Sequence, residues 1–130
     1  MLGFLLASFL VGCADYAMVG IKQREPEILV HPAHIDFGSL QSGFESEQKY
    51  FTVTNTGDED LIIGAPVLVS GNERFSLIDS PEEDIFLGAG EMIQVDILYT
   101  PETFESNGGY VEIASNDLDE GVVLVTLEGY

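Results

Sequence analysis

From Pro26 to its end the chain is a succession of short β-branched and aromatic runs, separated by clusters of Gly, Asn, Asp, Ser and Pro. The runs are Ile28 to His31, Ile35 to Phe37, Lys49 to Thr54, Leu61 to Val69, Phe75 to Ile78, Ile85 to Leu87, Met92 to Tyr99, Tyr110 to Ala114 and Val122 to Leu127. None carries a long helical period, and turn residues return about every ten residues, the mark of an antiparallel sandwich or barrel. An all-β domain is the expected class.

Period-2 alternation identifies the core. Phe51 and Val53 are expected to point inward and Tyr50, Thr52 and Thr54 outward. Ile93, Val95, Ile97 and Tyr99 oppose Gln94, Asp96 and Leu98, and Val111 and Ile113 alternate with Tyr110 and Glu112. Val122 to Leu127 is apolar at nearly every position, which predicts a strand that is central or covered on both faces. Turns are expected at Asn55 to Asp60, Gly88 to Gly90, Ser106 to Gly109 and Ser115 to Gly121.

At 130 residues the chain has room for one domain with its own core. It carries 23 Asp and Glu against 4 Lys and Arg, a formal net charge of -19. Such a surface repels phosphate backbones and anionic headgroups, so nucleic acid is excluded as a partner. Self-repulsion opposes compaction and is relieved by salt, whose screening length is about 8 Å at physiological strength.

Residues 1-12 form an apolar run ending in Gly12, and Cys13, the single cysteine, follows it directly. The run is well short of the roughly 20 residues a helix needs to cross a bilayer, and it matches the apolar core and small-residue cleavage site of an export signal. Leu10-Val11-Gly12-Cys13 resembles the lipobox of bacterial lipoproteins, which implies lipidation of Cys13 after removal of residues 1-12. The alternative is a buried cysteine in an N-terminal element. Residues 13-25 have no period of 2 or 3.6 and read as a tether; fully extended, at about 3.3 Å per residue, it reaches roughly 40 Å.

The ordered set Ile35-Asp36-Phe37-Gly38, Phe51-Thr52-Val53-Thr54-Asn55-Thr56-Gly57, Leu87-Gly88-Ala89-Gly90-Glu91, Val95-Asp96-Ile97-Leu98-Tyr99-Thr100-Pro101, Ala114-Ser115-Asn116-Asp117 and Leu127-Glu128-Gly129 resembles the ASH/Hydin-type module, met in bacteria as the choice-of-anchor D domain. The resemblance covers residues 26-130. It implies an immunoglobulin-like antiparallel β-sandwich of seven to eight strands, akin to major sperm protein, with Asn55 bonding loop backbone and Phe37 at a sheet edge. It further implies a non-enzymatic structural or protein-interaction module with a protein partner and no cofactor. Eukaryotic members act inside cells, in cytoplasm or cilium; the lipobox-like tetrad places this chain on the bacterial cell envelope instead, anchored to the membrane through lipid alone.

The alternative function is a calcium- or carbohydrate-dependent adhesion domain. Asp58, Asp60, Asp117 and Asp119 are the calcium candidates, since acidic loops supply oxygen ligands. The loop from Asp117 is no EF-hand, because its glycine falls one position early. His31 and His34 would hold zinc only with a carboxylate such as Asp36, and no metal site is assigned there. The outward tyrosines Tyr50 and Tyr110, with Phe86 and Phe104 near loops, are candidates for stacking on a glycan or anchoring a protein. Neither histidine sits in a nucleophile-activating context, so catalysis is not expected.

Overall fold

The alternating strands of the sequence fold into two sheets that bury their apolar faces against each other. The computed structural model describes residues 24–39, 46–102 and 105–130. In chain order the strands are β1 (Ile28–His31), β2 (His34–Asp36), β3 (Glu47–Asn55), β4 (Leu61–Ile63), β5 (Val67–Ser70), β6 (Phe75–Ile78), β7 (Ile85–Leu87), β8 (Met92–Tyr99), β9 (Asn107–Ala114) and β10 (Val122–Gly129). One sheet has the order β1-β3-β8-β6 and the other β2-β10-β9-β5, while β4 and β7 form a separate ribbon. Every pairing is antiparallel except β2 with β10. The chain leaves the first sheet after His31, passes a cis His31–Pro32 peptide, and enters the second at His34.

The two four-stranded sheets are the expected sandwich, and the ribbon is additional. It arises because the run Leu61 to Val69 breaks at Gly64-Ala65-Pro66. Leu61–Ile63 then pairs with β7, and Val67–Ser70 pairs with β9. Proline has no N–H to offer a ladder, so one continuous strand through Pro66 is disfavoured. The expected turn at Ser106 to Gly109 is instead mostly strand, with Asn107, Gly108 and Gly109 facing Gly129, Glu128 and Leu127. Glycine is required at position 109 because a Cβ there would run into the Ser70 carbonyl and lie 3.0 Å from the Gly71 Cα. Strand β10 is central in its sheet but open on one face, where Val122 and Leu124 are 55% and 46% exposed.

Inward residues follow the alternation. Phe51, Val53, Val95, Ile97 and Tyr99 from one sheet meet Ile35, Val111, Ile113, Val125 and Leu127 from the other, all buried. At one end Phe37, Phe75 and Tyr99 form an aromatic trio with ring centroids 4.8 to 5.6 Å apart. Phe37 follows edge strand β2, yet its ring belongs to the core. The Tyr99 hydroxyl accepts a 2.9 Å hydrogen bond from Asn107 Nδ2. Its ring lies against the backbone of Gly129, where a Cβ would approach ring carbons to 2.6 Å. This is the physical need behind glycine in Leu127-Glu128-Gly129.

Asn55 closes the opposite end. Fully buried, its Oδ1 accepts from Gly57 N (2.9 Å) and Glu27 N (3.3 Å), and its Nδ2 donates to Glu59 O (2.7 Å) and Leu87 O (3.0 Å). One amide thus satisfies backbone from the segment before β1, the β3–β4 turn and the end of β7. Asn55→Ala strands these groups and is expected to cost roughly 3 kcal/mol or more, with unpaired buried groups each costing about 1–3 kcal/mol. Urea denaturation checks it; a loss within about 0.5 kcal/mol, typical of a neutral surface change, would refute the assignment.

Candidate functional site

The loops that carry most of the acidic candidates gather at the Asn55 end of the sandwich. Asp117 and Asn55 are the buried polar side chains among the described residues. Asp117 Oδ2 accepts from Ile28 N at 2.9 Å, and Oδ1 accepts from Asp119 N at 2.8 Å and Glu120 N at 3.1 Å. The carboxylate therefore holds its own loop in a turn and pins the first residue of β1 across the sandwich. Burial pushes the Asp117 carboxyl up, but these three backbone donors together outweigh it and hold the group below its ordinary value.

Glu27 experiences the reverse. The Asp117 carboxylate pushes its pKa up, with further contributions from desolvation, Asp119, Glu25 and Glu120. Two groups of carboxylates here converge within 4.8 Å, Glu25 with Glu27 and Asp119, and Glu27 with Asp117 and Glu120. The structure thus brings Asp117 and Asp119 into one acidic cluster with Glu25, Glu27 and Glu120, which sequence reasoning missed. Asp58 and Asp60 fall outside both groups. Asp58 Oδ1 instead accepts from Glu25 N at 2.9 Å, and the Asp60 carbonyl accepts from Asn116 Nδ2 at 3.3 Å. Neither group includes a histidine. His31 ends β1 in one sheet, while His34 lies in the other. Among the described residues Arg24, whose Nε is 3.0 Å from Glu59, is the cation paired at this end.

The two candidate tyrosines do not share a site. Tyr50 is 52% exposed on the outer face of β3, and Tyr110 is half-buried on the outer face of β9, in the other sheet. Phe86 is exposed on the β4–β7 ribbon. Phe104 and Cys13 lie outside the described residues.

A cleft of about 380 Å³ opens between β2 and β3, lined by Pro32, Ile35 and Asp36 on one wall and Gln48, Lys49 and Tyr50 on the other. At its margin His34 Nδ1 is 2.6 Å from the Thr126 hydroxyl and Nε2 is 3.2 Å from Glu128. The connectivity is that of a hydroxyl–imidazole–carboxylate relay. Both His34 and Glu128 are more than half exposed, and activation of a nucleophile needs a water-poor site with aligned donors for the developing charge. The contacts join β2 to β10. Among the described residues no helix is long and apolar enough to cross a membrane.

These features define a class: a small immunoglobulin-like, ASH-like sandwich whose buried polar side chains serve loop backbone. The chain belongs to the HYDIN/CFA65/VesB-like, Ig-like domain family, whose profile matches residues 26–130. It is similar to the ASH/PapD-like domain of human CEP192, at 15% identity and a TM-score of 0.59, over 84% of this chain and 87% of that one. It is similar to the secreted serine protease VesC of Vibrio cholerae at 22% identity and a TM-score of 0.55, over 72% of this chain but only 21% of that protein. Its likeness to the E. coli chaperone DraB has 10% identity and a TM-score of 0.54, over 80% of this chain and 54% of that one. At these identities the likeness is one of fold. No curated protein matches the sequence.

The two shifted carboxyls have opposite signs in stability. The folded value of Asp117 lies below its unfolded one, so its stabilisation is complete above the unfolded pKa and is lost as pH falls through the folded value. The folded value of Glu27 is raised, so its contribution is present below the unfolded pKa and lost as pH rises through the folded value. Asp117→Asn is expected to lose about 2 kcal/mol at neutral pH, since an amide N–H₂ then faces backbone donors, with the gap narrowing in acid. Glu27→Gln is expected to raise the melting temperature at neutral pH, with the gain fading in acid. Thermal melts across the carboxylate range check both; curves parallel to wild type contradict them.

Proposed function

We propose that the chain is a non-enzymatic protein-interaction module, displayed on the bacterial cell envelope by a lipid on Cys13. The observation that carries the interaction reading is the cleft between β2 and β3, where strand edges of both sheets are without a partner among the described residues. An unpaired edge is a ready template for another chain. The core on the inner faces is closed, and the buried polar groups Asn55 and Asp117 are committed to backbone. The lipobox-like tetrad supports export and anchoring, and the fold likeness to a secreted protease is in keeping with a location outside the cytoplasm. Arg24, within the proposed tether of residues 13-25, is held at the acidic end by Asp58 and Glu59. A net charge of -19 favours stand-off of that end from anionic headgroups.

Expressed in a bacterium, the full chain is expected in the membrane fraction with a mass showing acylated Cys13 as first residue, and Cys13→Ser in the soluble fraction. An unmodified Met1 terminus on membrane-extracted protein sinks the anchor. Cross-linking in the native envelope is expected to give a discrete heavier species; a chain that stays alone removes the interaction reading.

The acidic cluster around Glu27 favours a second reading, calcium-dependent adhesion to a glycan or protein, with Glu25, Glu27 and Asp119 as the converging carboxylates. Calcium titration separates the two. The interaction module is expected to show only the melting shift that sodium gives at equal ionic strength, whereas a large saturable rise specific to calcium selects the second reading.

A further inference from the structure

Among the described residues, the register of β3 leaves half of one edge without a strand. β1 pairs with β3 only from Asn55 to Thr52, and then crosses to the other sheet. β8 covers the opposite edge of β3 over nearly its whole length, from Glu47 to Thr54. In an antiparallel ladder the N–H and C=O of successive residues point to alternate edges. Thr56 N donates to Glu27 O on the β1 side, and Asn55 N donates to Glu91 O on the β8 side. Counting back by twos, Thr54 and Thr52 serve β1, and Phe51 and Lys49 serve β8. Tyr50 and Gln48 therefore direct their backbone groups to the β1 side beyond the point where β1 has left, and no described residue pairs with them there.

The facing wall repeats the pattern. Ala33 O accepts from Thr126 N and Phe37 N donates to Glu128 O, so the odd-numbered positions of β2 serve β10. The backbone groups of His34 and Asp36 consequently point away from β10, toward the same cleft. Among the described residues, two sheet edges thus present donors and acceptors without a strand partner across one opening, and an extended backbone matches both their spacing and their polarity. Charge sets its composition. Asp36 lines the opening, and Glu47 and Glu128 lie 3.4 Å from Lys49 and 3.2 Å from His34 of its lining, in a chain of net charge -19.

We propose that the Gln48–Tyr50 edge of β3 binds an extended, basic segment of a partner protein as an added strand, an inference that rests on the interaction-module reading and gives it a site. The Tyr50 ring, exposed beside this edge, flanks the added strand, and Ile35 with the half-buried Lys49 stem underlies its inward side chains.

The test is amide hydrogen exchange by NMR on the full chain, with a nine-residue peptide of alternating lysine and valine and its glutamate-for-lysine twin as probes. In the free protein Gln48 and Tyr50 amides are expected to exchange quickly and Lys49 and Phe51 slowly. The lysine peptide is expected to slow Gln48 and Tyr50 at least tenfold and the glutamate peptide to leave them unchanged. Tyr50→Pro removes an outward N–H without touching the β8 ladder, so it is expected to weaken peptide binding at least tenfold while the β8-bonded amides keep their protection. Should that variant fail to fold, the wild-type exchange pattern still decides. Slow Gln48 and Tyr50 amides in the free protein overturn the inference: independent of concentration they mean the chain's own residues fill the edge, and dependent on it they mean a second copy does. Protection by the lysine peptide at another edge, such as β5, also overturns it and leaves the interaction reading standing.

Discussion

The Asn55 carboxamide is the contact on which one whole end of the sandwich depends. Its four hydrogen bonds reach the segment before β1, the β3–β4 turn and the end of β7, pieces that lie up to 32 residues from Asn55 in the chain. Backbone buried in these connections has few alternatives, because water is excluded and no ladder passes through them. Asp117 performs the matching task from the other sheet, reaching Ile28 across 89 residues. Together the two side chains hold β1 at its start.

That arrangement has an electrostatic consequence. Pinning Ile28 with a carboxylate brings Asp117 close to Glu27, and the β9–β10 loop adds Asp119 and Glu120. The backbone donors that stabilise Asp117 are local and directional, whereas the repulsion felt by Glu27 is spread over four acids. One carboxyl is therefore lowered and its neighbour raised within a single cluster. The far end of the molecule is held differently, by the aromatic trio and by the close approach of Tyr99 to Gly129. Loop backbone is thus fixed by polar side chains at one end and by ring packing at the other, and the flank between β2 and β3 is one place where, among the described residues, strand edges of both sheets stay open.

Much of the fold is legible in particular residues. Phe51 and Val53 in β3, Val95, Ile97 and Tyr99 in β8, and Val111 and Ile113 in β9 are all buried as their alternation predicts. Asn55 behaves as a bonding turn residue. The Gly108-Gly109 pair misleads, because glycine signals both a turn and a strand against which another backbone lies, and the second cause operates here. The apolar run Val122 to Leu127 does mark a central strand, but it does not say which face stays open, and Val122 and Leu124 lie on that face. The candidate site was less legible. Asp117 and Asp119 stand out within their loop, but Glu25 and Glu27 join them only through the return of β1, and no local spacing signals a neighbour some ninety positions away.

The features legible in the residues alone are local ones: strand periodicity, the inward residues, most of the turns, the acidity of the surface and the apolar segment ahead of Cys13. These follow from the two-residue repeat of an extended backbone and from the conformational preferences of Gly, Pro, Asn and Asp, which act over a few residues. Tertiary structure decided which strands lie side by side, that Tyr50 and Tyr110 fall on opposite faces, and that β1 abandons β3 halfway along its length. Those outcomes depend on sheet order and on the crossing of β1 into β2. They are set by contacts between distant segments competing for one core, and a pattern of period two is the same whichever neighbour a strand acquires.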